Sequence, residues 1–206
     1  MEKKINITFH NEGLRSYIEI DLCAQCPRQD DKGCCGYYSP VFYPSDLAYL
    51  LIYKPDLIEY IFSIKDITVL DASVTVNNTI DGESYRCHFH SKSQGCYLEQ
   101  KFRESICRHF VCPGVAWESE KSLKNWKKFF SDLSDYEIAL NNKIASGLKT
   151  RGLTLRNHDM RNVFFKEMLI LYRNETKNLP SFIYKYPAVE KLTIIREIKY
   201  GKEWPL

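Results

Sequence analysis

The cysteines of this chain constrain its fold more than any other feature of the sequence. All eight lie between residues 23 and 112, and residues 113–206 contain none. The first group comprises Cys23, Cys26, Cys34 and Cys35, and the second comprises Cys87, Cys96, Cys107 and Cys112. Because randomly scattered cysteines would not leave the second half of the chain empty, this clustering indicates that the eight thiols share one task.

The spacing in the first group, CAQCPRQDDKGCC at 23–35, favours a metal site. In a Cys-x-x-Cys segment the two intervening residues form a tight loop that turns both sulfurs towards one ion, and backbone N–H groups can donate to the thiolates. Cys34 and Cys35 cannot readily form a disulfide with each other, because adjacent Cα atoms are too close for its geometry. Gly33 and Gly36 allow the backbone to fold closely around an ion.

Three other interpretations of the cysteines are open. A thioredoxin-like redox pair uses Cys-x-x-Cys, but that motif opens a helix in a βαβ unit, which this sequence does not predict. Eight cysteines could form four disulfides in a secreted protein. Buried, unreactive thiols are common individually, yet they account poorly for a CxxC motif followed by a CC pair. Metal binding fits the spacing best and is the primary prediction.

Composition predicts a globular protein and argues against nucleic acid as a partner. Hydrophobic residues make up 44% and charged residues 27% of the chain, as in proteins with a packed core. The net charge is only +3, whereas nucleic-acid binders concentrate far more basic charge. Residues 1–13 lack the apolar stretch of a signal peptide, and the apolar segment 47–53 is too short to cross a membrane. We therefore expect a cytoplasmic protein with reduced thiols and no membrane partner.

Hydrophobic periodicity predicts an α+β fold. Apolar residues alternate around Ile7 and again around Ile20, on either side of a glycine-containing turn, which predicts a β-hairpin leading into Cys23. Further predicted elements are a helix from Pro44 interrupted at Pro55, a second turn or short helix beginning at Pro55, and extended structure in 66–78. A hairpin turn is predicted at Asp81–Gly82, and helices are predicted in 117–148 and 162–174. We divide the chain into a cysteine-cluster metal-binding region, 1–115, and a mainly helical region, 116–206, packed on it as one compact domain.

A longer pattern joins the two cysteine groups. The first group is followed by Asp46 at a predicted helix start, then by RCHFHSKSQGC at 86–96 and ICRHF at 106–110. Together these blocks resemble the YkgJ-like cysteine-cluster family of zinc- or iron-chelating proteins, over residues 20–112. The chain departs from the family pattern in a longer gap after Cys26, in FRES where a proline is usual, and in the additional thiol of Cys112.

The resemblance implies metal or iron–sulfur binding through the thiols, without implying one reaction. The flagellin lysine N-methylases are similar in carrying this signature, so a cluster-containing modifying enzyme is one interpretation. The sequence contains no HExxH, G-x-S-x-G or P-loop motif, and no dinucleotide-binding glycine pattern. Enzymatic activity is therefore left undecided.

The donor set allows zinc or iron in several forms. Eight thiolates would complete two four-thiolate zinc sites, whereas one four-iron–four-sulfur cluster needs four thiolates. Arg86 and Arg108 directly neighbour Cys87 and Cys107, so they are candidates to offset thiolate charge. The alternative for both arginines is an ordinary solvated or salt-bridged side chain.

Three histidines flank the second cysteine group, namely His88, His90 and His109. Histidine can replace a thiolate in mixed zinc sites and in some iron–sulfur centres, although a lone histidine is more often not a ligand. His10 and His158 lie outside the pattern.

Three functions fit these observations. The first is a metal-binding protein whose thiolates hold an iron–sulfur cluster or zinc or iron, in a redox role or as an accessory to a modifying enzyme. The second is a structural zinc module whose helical half contacts a protein partner. The third is a modifying enzyme that uses the cluster.

Overall fold

The computed structural model describes residues 2–28, 33–91 and 95–205. In these segments the helices are α1 Cys34–Tyr37, α2 Pro44–Tyr53, α3 Pro55–Ser63, α4 Ser105–His109, α5 Lys124–Thr150 and α6 Arg161–Glu175. The strands are β1 Glu2–His10, β2 Tyr17–Ile20, β3 Val41–Phe42, β4 Ile67–Val69, β5 Val74–Val76, β6 Thr79–Asp81, β7 Ser84–Arg86, β8 His90–Ser91, β9 Gly95–Cys96 and β10 Val189–Glu197. The predicted α+β class with a helical second half is confirmed.

The predicted hairpin near residue 10 forms between β1 and β2. The two strands pair antiparallel, with Ile7 opposite Ile20 and Phe9 opposite Ile18. Alternation along β1 turns Ile5, Ile7 and Phe9 into the core, where they are fully buried. The hairpin leads into a 3-10 turn at Asp21–Gln25, and that turn carries Cys23.

Strand β10 pairs antiparallel with the other edge of β1 along its whole length, from Glu2 opposite Glu197 to His10 opposite Val189. The three-stranded sheet therefore combines a strand from residues 116–206 with the hairpin from residues 1–115. This sheet crosses the division at residue 115, which stays a prediction.

Helices α2 and α3 begin at prolines, as predicted. Pro44 and Pro55 each occupy the first helical turn, where the missing N–H costs nothing. The Tyr43 N–H donates to Asp46 Oδ2 across 3.1 Å, which caps α2 at its start. Short antiparallel hairpins follow, β4 with β5 in the segment predicted to be extended, and β6 with β7 around the predicted turn at Asp81–Gly82.

The long helix of the second half begins later than its apolar pattern predicts. We expect it over 117–148, whereas α5 begins at Lys124 and ends at Thr150. Residues 117–123 instead form 3-10 turns, and Arg196 on β10 holds this segment by pairing with Glu120 across 2.6 Å. Among the helices in the described segments, none joins the length to the apolar character that a bilayer crossing requires.

Candidate metal centre

All eight cysteines line one cavity of about 100 Å³ between the sheet, α1 and α4. They come from separate segments of the chain: the 3-10 turn after β2, helix α1, the strands β7–β9, and helix α4 with the residues after it. The cysteines at the cavity are Cys23, Cys26, Cys34, Cys35, Cys87, Cys96, Cys107 and Cys112. All eight are free thiols.

The first pair of cysteines is held by a close backbone approach. Leu22 is buried and anchors the 3-10 turn, and the Cys23 side chain beside it lines the cavity. Gly33 has φ +55°, and a Cβ built on it would lie 2.9 Å from the Cys26 sulfur. Only glycine accepts both this conformation and this contact readily, so Gly33 allows the chain to fold against the Cys26 thiol.

Helix α1 opens with the adjacent thiols Cys34 and Cys35 and connects the two cysteine groups. The Cys87 N–H donates to the Cys35 carbonyl across 2.6 Å. This backbone bond places the loop after β7 directly against α1, so that cysteines distant in sequence face the same space.

Helix α4 presents Cys107 through an acidic cap. The Glu104 carboxylate accepts hydrogen bonds from the N–H groups of Ile106 and Cys107, both across 2.8 Å. Glu104 itself is buried and lines the cavity. Burial raises the pKa of Glu104, while hydrogen bonds from Cys107 lower it.

The remaining wall of the cavity is mostly apolar. Ile18, Leu22, Phe42 and Phe89 are among its buried lining residues. The aromatic stretch at 36–43 contributes to this wall in part. Its lining residues are Tyr38, Pro40 and Phe42. Tyr37, in contrast, is 64% exposed. Such a wall limits the access of water to the thiols and lowers the local dielectric constant.

Burial, and to a lesser degree the charge of neighbouring thiolates, opposes the ionisation of most of the cavity thiols. Burial raises the pKa of six of them, namely Cys23, Cys26, Cys87, Cys96, Cys107 and Cys112. A hydrogen bond with the Cys35 thiol lowers the pKa of Cys34 and raises that of Cys35. Negative charge on Cys34 raises the pKa of each of the other seven. A bound cation would reverse this repulsion and allow several thiolates to form together.

Arg103 supplies positive charge at the cavity, a role that the sequence interpretation did not assign to it. The residue lines the cavity, and its charge lowers the pKa of Cys23, Cys34 and Cys96. Its Nε donates to the Leu98 carbonyl across 2.9 Å, which fixes the guanidinium near the thiols. Its position in FRES, shortly before Cys107, was the only available signal.

The two arginines chosen from the sequence have other partners. Arg108 is fully buried and pairs with Glu137 across 2.6 Å, with Asp46 at 3.9 Å. Arg86 pairs with Asp81 across 3.6 Å at a partly exposed position. Both are thus salt-bridged side chains, and their predicted role in offsetting thiolate charge stays a prediction.

The histidines near the second group occupy different surroundings. His88 lies within 2.9 Å of the Tyr60 hydroxyl, and His90 pairs with Cys96 across the β8–β9 ladder. His109 Nδ1 lies 3.2 Å from Ser134 Oγ, and burial lowers the pKa of His109 well below its ordinary value. Their role as ligands stays a prediction.

Within residues 2–28, 33–91 and 95–205, no three His, Cys, Asp or Glu side chains form a group that would hold a metal ion. The thiols surround the cavity without such a group, and ligation by the eight cysteines stays a prediction.

Comparison with protein-family models, with curated proteins and with solved structures finds no match to this chain. The resemblance to the YkgJ-like family therefore stays a prediction that depends on the cysteine blocks alone.

Proposed function

We propose that this protein binds a metal centre through its cysteine thiolates, and that an iron–sulfur cluster suits the site best. One observation carries the proposal: eight cysteines from separate segments line a single cavity. Thiolates are the preferred ligands of iron–sulfur clusters and of structural zinc. When bound, an iron–sulfur cluster would supply one-electron transfer.

The number of thiols and the single cavity support a centre with several metal atoms. One zinc ion takes four thiolates in a tetrahedron, and eight thiols exceed that number. A cluster held by four thiolates leaves further cysteines to support or exchange with its ligands. Arg103 suits a buried, negatively charged cluster because its positive charge offsets thiolate charge, and the apolar wall limits the access of water to the cluster.

The role that follows is electron transfer, or support of a modifying enzyme that acts together with a protein partner. Free thiols require a reducing compartment, so we place the protein in the cytoplasm. A structural zinc module is the alternative, with eight thiols divided between two zinc ions.

The deciding experiment is anaerobic purification after loading with iron and sulfide, followed by metal and sulfide analysis and visible absorption. A brown protein with matching iron and acid-labile sulfide supports the cluster. A colourless protein with two zinc ions per chain overturns it in favour of the zinc module. A protein that binds neither metal overturns both proposals.

Two variants connect the result to the cavity. Cys34→Ser removes the thiol whose negative charge raises the pKa of the other seven. We expect this variant to bind no metal. Ala24→Ser is the matched control, because it changes an exposed residue between Cys23 and Cys26 without removing a thiol. Equal metal content in both variants would contradict the role of Cys34.

A further inference from the structure

A segment far from the cysteine blocks completes the wall of the cavity. Residues Gly201–Glu203 form a 3-10 turn, and Trp204 follows it. The Trp204 side chain is 2% exposed and lines the cavity. Its indole Nε1–H donates to the Cys112 sulfur across 3.3 Å, so a residue 92 positions away contacts one of the thiols.

Two hydrogen bonds hold this turn against the first cysteine group. Arg28 Nη1 donates to the Trp204 carbonyl across 3.0 Å. The Gly201 N–H donates to the Pro27 carbonyl across 2.9 Å. Pro27 and Arg28 directly follow Cys26, so the turn joins the segment of Cys26 to that of Cys112.

Packing fixes the plane of the indole ring. Gly114 lies so close to the ring that an added Cβ would overlap its six-membered half. Gly114 also sits in the 3-10 turn that directly follows Cys112. The ring therefore rests on the same backbone that carries the thiol to which it donates, and its N–H points at that sulfur in a fixed geometry.

We propose that Trp204 is a positioning residue of the metal centre, whose indole N–H donates to the Cys112 thiolate and helps retain the bound metal. This inference rests on the proposed function. An N–H donor stabilises negative charge on a coordinating sulfur, and a donor already held by packing does so without further ordering. The same bond favours the more negative, reduced state of a cluster, and so raises its reduction potential.

Trp204→Phe tests the inference, because phenylalanine keeps an aromatic ring in the wall and removes the donor. We expect a chelator, EDTA, to strip metal from this variant about 10- to 100-fold faster than from the wild type, because losing a hydrogen bond to a ligand typically lowers metal affinity by that factor. In the iron–sulfur form, we also expect a reduction potential more negative than that of the wild type.

Trp126→Phe is the matched control. Trp126 is also 2% exposed and donates its indole N–H, but to Glu190 across 2.8 Å. This control should release metal at the wild-type rate. Circular dichroism and thermal melting of the metal-free proteins must show that both variants fold.

Gly114→Ala provides a second route, because its methyl group would displace the indole while leaving the donor in the chain. We expect it also to speed metal loss. A metal-loaded Trp204→Phe protein with the release rate and potential of the wild type overturns the inference. A wild-type protein that takes up no metal overturns the proposed function itself, so the two failures are distinguishable.

Discussion

Arg108 donates a hydrogen bond from Nη2 to Oε1 of Glu137 across 2.6 Å, and both side chains are buried. Arg108 directly follows the cavity residue Cys107, whereas Glu137 lies in the middle of α5. Arg108 Nη1 also donates to the Ser16 carbonyl across 2.8 Å. The segment that carries Cys107 is therefore anchored both to the longest helix and to the turn before β2.

Glu137→Ala should destabilise the protein strongly. The substitution leaves Arg108 buried without its nearest anion, and removing one partner of a buried ion pair costs about 3–5 kcal/mol of unfolding free energy. Urea denaturation measures this loss. Asp135→Ala, at an exposed position of the same helix, is the control and should change stability by less than about 0.5 kcal/mol.

A double variant separates charge from packing. Arg108→Met together with Glu137→Met removes both charges and retains much of the volume, so we expect it to be more stable than Glu137→Ala alone. If the double variant is less stable than Glu137→Ala, the prediction is wrong. The ion pair would then stabilise the fold by more than the cost of burying its two charges.

Gly33→Ala should weaken metal binding as well as stability. A Cβ at this position meets the Cys26 sulfur, and Gly33 has φ +55° and ψ −143°, a backbone conformation that costs a residue with a side chain about 1–3 kcal/mol. Gly82→Ala shares the positive φ of +67°, but an added Cβ there has no heavy atom within 4 Å. We expect backbone strain to lower the melting temperature of both variants, and reduced metal content only in Gly33→Ala. Equal metal content in the two variants would argue against contact between Gly33 and a ligand.

Arg103→Gln should release metal about 10-fold faster than the wild type, because it removes the positive charge that favours ionisation of three cavity thiols. Chelator competition measures the rate. Arg103→Lys keeps the charge and should restore part of the retention. Arg86→Gln is the comparison at a partly exposed ion pair, and an equal effect there would contradict a specific role of Arg103.

Metal-free protein should lose stability as pH rises above about 8.5, where thiols in an unfolded chain ionise. Burial raises the pKa of Cys87 to about 11, so the folded state keeps a proton that the unfolded state has released. The contribution of the Cys87 thiol to the free energy of unfolding is complete below the pKa of a thiol in the unfolded chain and disappears as pH rises towards 11. The loss is at most about 1.4 kcal/mol per pH unit for one thiol. Denaturation at several pH values in this window gives the slope. Cys87→Ala should reduce this slope, and an unchanged slope would contradict a raised pKa of Cys87.

The sequence predicted those elements whose signals are local. Alternation of apolar residues marks β1 and β2, and prolines at 44 and 55 mark two helix starts, because each signal depends on neighbours a few residues away. The pairing of β10 with β1 has no such signal, since Glu2 meets Glu197 only after the whole chain has folded. The late start of α5 likewise depends on a contact between distant residues, because Arg196 on β10 pairs with Glu120 in the 3-10 turns before the helix.

The residues of the candidate site also differ in whether the local sequence could predict them. Spacing selected all eight cysteines that line the cavity, whereas adjacency in sequence does not show which way an arginine side chain points. Arg108 follows Cys107 within α4, where consecutive side chains point about 100° apart, so it faces α5 and the core. Arg103 precedes the helix and turns towards the thiols. Trp204 carries no sequence signal for metal at all, and only the folded chain brings it to Cys112.

The contact between Trp204 and Cys112 sets an order of events during synthesis. A ribosome adds roughly 5–20 residues per second, so the last cysteine emerges several seconds before the tryptophan that closes its cavity. Until β10 and the turn after it arrive, β1 has an unpaired edge and the thiols face an open space. Metal that reached the thiols during this interval would find an incomplete cavity wall. Metal that reached them after folding would find a complete one. Under the proposed function, we expect the complete centre to form only after residues 189–204 have folded onto β1 and Cys112.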